Sequence, residues 1–122
     1  MKLSVIIPVY NEAATLEKIL QKIMEVQVID EVVLVDDGSQ DESLEIAKNF
    51  KENLSAKNKK SFKVFGKENG GKGSAVRNGL EKVSGDYVLI QDADLEYDPN
   101  DIQDLVQALS RENVEVVYGS RF

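Results

Sequence analysis

An α/β fold, with a mostly parallel sheet covered by helices on both faces, is predicted by three features of this 122-residue sequence. Short β-rich apolar runs alternate with segments of helical period, the pattern of βα units. The runs are apolar throughout rather than at every second residue, as strands buried on both faces require. Polar residues collect just after each run, and in such sheets ligands bind outside the carboxyl ends of the strands.

Leu3 to Val9 (LSVIIPV) reads as the first strand, and Leu16, Ile19, Leu20 and Ile23 follow at helical spacing. Val32 to Val35 is a second strand. Leu44, Ala47 and Phe50 mark a second helix, with Asp41 its expected N-cap. KENLSAKNKK is a polar, basic connection to a third strand, Phe62 to Phe65. Val76, Gly79, Leu80 and Val83 outline a third helix, and Tyr87 to Ile90 a fourth strand. Ile102, Leu105, Val106 and Leu109 outline a fourth helix, opened by Pro99, whose missing N–H has no partner in a first turn anyway. Val114 to Tyr118 is a fifth strand. Crossovers between parallel strands are right-handed. The length suits one domain, 1–122, with one core.

Composition narrows the chemistry. The net charge is -7, which argues against a nucleic-acid surface. There is no Cys, hence no disulfide framework or thiolate nucleophile. There is no His, so the commonest general base and transition-metal ligand are both missing. A metal here would be held by oxygen, which points to magnesium, manganese or calcium. The opening MKLSVIIPVYNE is too short for a membrane span and has no signal-peptide cleavage region, so a cytoplasmic or cytoplasm-facing location is expected. The closing VEVVYGSRF stops at the end of an apolar run, and the chain is expected to be part of something longer.

The densest feature is QDADLEYDP, where Asp92, Asp94, Glu96 and Asp98 place four carboxylates within seven residues. Residues two apart in extended chain face the same side, so Asp92 and Asp94 can address one point. Each would raise the other's pKa, and a divalent cation reverses that by holding both ionised. A solvated acidic turn explains most D-x-D sequences; its place at a strand's carboxyl end favours function here. An EF-hand loop is rejected, since Tyr97 and Gln103 stand where its Gly and Glu belong.

VDDGSQD (Val35 to Asp41) has turn residues and a cap. These do not require both Asp36 and Asp37, and a strand-end carboxylate can accept hydrogen bonds from a base or ribose. GKENGGKGSAVRNGL contains Gly66, Gly71 and Lys72 at G-x-x-x-x-G-K spacing between a strand and a helix. A P-loop nucleotide hydrolase is therefore a rival reading, weakened because Gly73 replaces the magnesium-binding hydroxyl. A receiver-like signalling module shares the length and the alternation, but PVYNE and GSRF stand where its acidic pair and Lys belong.

Together these strand ends resemble glycosyltransferase family 2. VIIPVYNE resembles its opening motif, VVLVDDGSQD its base-binding strand end, and NGGKGSAVRNGL its third helix. GDYVLIQDADLEYDPNDI resembles its D-x-D region and GSRF the strand after it. The wording of QDADLEYDP and GSRF is most similar to the dolichyl-phosphate mannosyltransferase and polyprenyl-phosphate glucosyltransferase branch. The resemblance implies a GT-A fold, a GDP- or UDP-hexose donor and Mn2+ or Mg2+. By match to its motifs, Pro8, Tyr10 and Glu12 line the nucleotide, and Val35 and Asp37 contact the base and ribose side. Asp92 and Ala93 flank the ribose and diphosphate. Asp94, with Glu96 and Asp92, holds the metal and carries catalysis. Arg121 approaches the donor phosphates, with Lys72 a further candidate, and Asp98 serves the next helix start. The implied reaction is inverting hexosyl transfer to a polyprenyl phosphate, which needs no base because it is already anionic. A saccharide hydroxyl is the alternative acceptor; it needs a general base, which in hydroxyl-transferring members lies beyond residue 122. Membrane contact is expected to come from residues after Phe122, and this part alone to bind donor without turnover.

Overall fold

A computed structural model describes residues 2–55 and 58–91, and the backbone of 116–118. The elements are β1 (Leu3–Val9), α1 (Leu16–Glu25), β2 (Glu31–Asp36), α2 (Ser43–Glu52), β3 (Ser61–Gly66), α3 (Lys72–Lys82), β4 (Tyr87–Ile90) and β5 (Val116–Tyr118). The expected fourth helix and residues 114 and 115 of the fifth strand lie outside the described residues. The strands form one sheet in the order β3-β2-β1-β4-β5, with every described pairing parallel. From β1 the order runs one way to β2 and β3 and the other way to β4 and β5. The switch point is therefore between β1 and β4.

β1 and β2 are buried along their whole length, which explains their unbroken apolar runs. Alternate residues serve opposite faces. On one face Leu3, Val5, Ile7 and Val9 join Val32, Leu34 and Leu89 beneath Leu16, Ile19, Leu20 and Ile23 of α1 and Ala47 of α2. On the other, Ile6, Val88 and Ile90 meet Val76 and Val83, while Val33 and Val35 meet Ala75. A fully buried aliphatic side chain contributes roughly 1.5–3 kcal/mol, so the four of α1 anchor that helix firmly. α3 buries only Ala75 and Gly79. It compensates by close approach, since a Cβ on Gly79 would lie 2.7 Å from Ile6 Cγ2.

Two expectations are corrected. The apolar stripe of α3 was expected to include Leu80, but Leu80 is 40% exposed and Ala75 takes the inward place. Gly79 fixes which side of the helix sits lowest on β1, and that rotates Leu80 outward. In α2 the N-cap position belongs to Glu42, whose side chain makes no capping bond. Asp41 still serves the helix start from one residue earlier, its Oδ1 accepting the Ser43 N–H at 2.9 Å.

At the amino ends of the strands lies a buried carboxylate that the sequence did not single out. Glu31 is 1% exposed. Its Oε1 accepts Ser4 Oγ–H at 2.7 Å and the Ser84 N–H at 2.8 Å. Its Oε2 accepts Ser84 Oγ–H at 3.0 Å and pairs with Lys63 Nζ at 2.9 Å. Burial opposes the charge, but the hydrogen bonds from Ser4, Lys63 and Ser84 outweigh it and bring the pKa down to about 2. Because the folded value lies below the ordinary 4.5, the stabilisation is complete above about pH 4.5 and is lost as pH falls towards 2. Glu31→Gln is expected to lower stability at pH 7 by up to about 3 kcal/mol. In urea denaturation across pH, the gap between wild type and variant should close between pH 4.5 and 2; a constant gap would contradict this assignment.

Candidate functional site

At the switch point the pairing of β1 with β4 stops three residues before β1 ends. In a strand the N–H and C=O of one residue point to the same side. Val9 C=O accepts the Asp37 N–H at 2.8 Å, so odd residues of β1 bond towards β2. Ile6 C=O accepts the Gln91 N–H at 2.9 Å, so even residues bond towards β4. The β4 pairing ends at Ile6 opposite Ile90. Pro8 is the next even residue, and it lacks the N–H that would continue the ladder to the chain after Ile90, so the pairing stops there. A proline inside this central strand costs only the last rung on that side.

The loop after β1 is held in a fixed path by the loop after β2. Asn11 has φ +53°, a left-handed conformation that Asn adopts more readily than most residues. Its N–H donates to Ser39 Oγ at 2.8 Å, and its Oδ1 accepts the N–H groups of Gln40 at 2.8 Å and Asp41 at 3.3 Å. Glu12 N–H donates to Ser43 Oγ at 2.8 Å and Ala13 N–H to Asp41 Oδ2 at 3.1 Å. Asn11, Ser39 and Ser43 thus orient PVYNE, a role the sequence reading missed.

The two adjacent aspartates divide the work. Asp36 closes its own turn, accepting Ser39 N–H at 3.0 Å and Ser39 Oγ–H at 2.6 Å. Asp37 is 3% exposed and grips the loop before α3. Its Oδ1 accepts Lys67 Nζ at 2.8 Å and the Gly70 N–H at 2.9 Å. Its Oδ2 accepts the Gly71 N–H at 2.8 Å and, more weakly, Asn69 Nδ2 at 3.4 Å. Asn69 Nδ2 also donates to the Asp37 carbonyl at 3.0 Å. Burial works against this charge, yet Lys67 and the two glycine amides prevail and hold the carboxyl below its usual range. The arrangement also removes the P-loop reading. Gly70 and Gly71 would have to offer their amides to a phosphate. Those amides are already engaged by a carboxylate of the chain.

The remaining expected residues are distributed as follows. Pro8 is buried, Tyr10 is 44% exposed at the end of β1, and Glu12 is half-buried. The Val35 side chain lies in the core against Ala75, which leaves only its backbone at the strand end. Lys72 is the exposed first residue of α3. Gln91 is buried directly after β4 and leads in sequence into Asp92. Asp92, Ala93, Asp94, Glu96 and Arg121 lie outside the described residues. Among the described residues no cluster of acidic side chains could hold a metal ion, and no helix is long and apolar enough to cross a membrane.

Comparison with known proteins gives a consistent picture. A family model described as glycosyl transferase family 2 matches residues 4–122. The chain is 36% identical over 124 residues to a dolichol-phosphate mannosyltransferase of Pyrococcus furiosus, covering 100% of this chain and 34% of that protein. It is 36% identical over 120 residues to an undecaprenyl-phosphate 4-deoxy-4-formamido-L-arabinose transferase of Proteus mirabilis, covering 95% of this chain and 36% of that one. Among solved structures, a mannosyltransferase from Pyrobaculum calidifontis in complex with GDP-Man and Mn2+ superposes with a TM-score of 0.77 at 29% identity. That match covers 89% of this chain and 32% of the other. The chain spans about a third of the length of these relatives.

Gly38 is the contact between the two loops. It has φ +75°, and a Cβ there would lie 2.6 Å from the backbone N of Asn69. Gly38→Ala is expected to destabilise the protein by roughly 1–3 kcal/mol. Chemical denaturation checks this; an unchanged midpoint would show that the two loops are not packed as described.

Proposed function

Because the chain belongs to glycosyl transferase family 2, we propose that it is the donor-binding part of an inverting hexosyltransferase using a GDP- or UDP-hexose. The observation that carries this reading is the topological switch point between β1 and β4, where ligands of such sheets bind. PVYNE ends β1 and Gln91, leading in sequence into the D-x-D stretch, follows the neighbouring parallel strand β4. The oxygen donors Asp92, Asp94 and Glu96 suit Mn2+ or Mg2+. When bound, such an ion neutralises charge developing on the departing nucleoside diphosphate. Asp94 is the residue assigned the principal part in holding it. Pro8, Tyr10 and Glu12 line the nucleotide, the Asp37 side serves base and ribose, and Ala93, Lys72 and Arg121 serve the diphosphate.

The acceptor proposed is a polyprenyl phosphate. Its phosphate oxygen attacks the anomeric carbon as the bond from that carbon to the diphosphate oxygen breaks. An anionic oxygen needs no proton removed, which suits a sequence without His. The P. furiosus and P. mirabilis relatives are both named for transfer to a polyprenyl phosphate. Bilayer contact is assigned to segments outside these 122 residues, and the location to the cytoplasm or the cytoplasmic face of a membrane.

Calorimetry with GDP, UDP and their hexoses should show binding that requires Mn2+ or Mg2+. Asp94→Ala should abolish the metal-dependent part, with the metal-free thermal midpoint level or raised by the loss of carboxylate repulsion. A large fall in that midpoint would make Asp94 structural. With full-length enzyme, labelled hexose should pass to polyprenyl phosphate; transfer only to saccharide hydroxyls would overturn the acceptor.

A further inference from the structure

Lys67 was not among the residues that the sequence picks out, yet it is the one side-chain cation within bonding distance of the buried Asp37 carboxylate among the described residues. Its side chain is 19% exposed, and its Nζ also donates to the Glu68 carbonyl. Lys67 therefore bridges the carboxylate to its own loop. Counting acceptor positions shows what that leaves. Oδ1 carries two short bonds, from Lys67 and Gly70. Oδ2 carries one short bond, from Gly71, and one long contact at 3.4 Å from Asn69. The Asn69 amide makes its better bond to the Asp37 carbonyl, at 3.0 Å. One acceptor position on Oδ2 is thus weakly held, on a carboxylate fixed in place on its other sides.

We propose that Lys67 is a positioning residue that sets nucleotide-base selectivity through Asp37. It rests on the donor-binding reading above, which puts the base at this strand end. With Lys67 in place, Asp37 is an ionised, immobile acceptor whose weakly held position takes one N–H donor by displacing the Asn69 contact. Uracil offers N3–H and guanine N1–H to such an acceptor. Cytosine N3 and adenine N1 carry lone pairs at the corresponding ring positions, and two acceptors facing each other in a buried site are mutually repulsive. Sites built to hydrogen-bond a substrate N–H discriminate strongly against analogues that lack it. Lys67 touches neither base nor reacting atoms in this scheme; it acts by keeping the carboxylate charged and in one orientation.

The test is calorimetric binding of UDP, GDP, CDP and ADP, each with Mn2+, to wild type, Lys67→Met and Lys67→Arg. Wild type should bind UDP or GDP at least roughly tenfold more tightly than CDP and ADP. Lys67→Met should bring the four affinities within about threefold of one another, and Lys67→Arg should keep the preference. Should Lys67→Met not fold by thermal melting, Lys67→Gln replaces it, retaining a donor without the charge and again expected to lose the preference. A merely structural role would weaken all four nucleotides in parallel and leave their ratios unchanged, which would overturn the proposal. An unchanged preference in Lys67→Met or Lys67→Gln would do the same while leaving the donor-binding reading intact. Absence of binding of any nucleotide to wild type would overturn the donor-binding reading and this inference with it.

Discussion

The Asp37 carboxylate is the interaction on which the loops at the carboxyl ends of the strands depend. A parallel sheet buried on both faces offers no polar surface except at its strand ends. There, backbone amides must find partners or remain exposed to water. One carboxylate at the end of β2 collects Lys67, Gly70 and Gly71 and holds the loop before α3 in a fixed path. Its lowered pKa follows from the same contacts that order the loop. Losing the charge would leave several donors without their acceptor at once.

The two ends of β2 follow a common design. Glu31 at the amino end and Asp37 just past the carboxyl end are both buried, and each pairs with a lysine from the neighbouring β3 region, Lys63 and Lys67. Each also receives backbone N–H groups that flank α3: Ser84 beyond its end, Gly70 and Gly71 before its start. α3 buries fully only Ala75 and Gly79, with Val76 packed against the sheet, and carboxylates anchor the chain at both its ends. Fixing it by carboxylates at both ends explains how a helix built on Ala75 and Gly79 stays seated on β1. It also links the position of the glycine-rich loop to the register of the sheet.

The fold was largely legible from the sequence. Buried strands announce themselves by unbroken apolar runs, and β1 and β4 begin and end where the sequence reading placed them. The face of α3 was misjudged at Leu80, because helical spacing alone cannot tell a stripe centred on Ala75 and Gly79 from one rotated towards Leu80. Packing of Gly79 on Ile6 decides it. The polar strings PVYNE and VDDGS were legible as strand ends, and they do lie at the ends of β1 and β2. Lys67 and Asn69 were not, since their meaning depends on the β2–β3 register that sets Asp36 opposite Gly66 and so brings residue 67 beside Asp37. Asn11 carried a faint signal, an Asn directly after a strand where a left-handed turn suits it. Glu31 looked like one more charged residue before an apolar run, and only burial reveals its network.

Amide hydrogen exchange at Gly70 and Gly71, followed by NMR in the nucleotide-free protein, tests the grip of Asp37 on this loop most directly. Both amides sit in an irregular stretch outside any helix or strand, where unbonded N–H groups exchange quickly. If Asp37 holds them as described, both should be protected in wild type, and protection should collapse in the isosteric Asp37→Asn variant while the β1 and β2 amides stay slow. Fast exchange at Gly70 and Gly71 in wild type would contradict the clamp, and with it the view that this carboxylate orders the loop at the carboxyl end of β2.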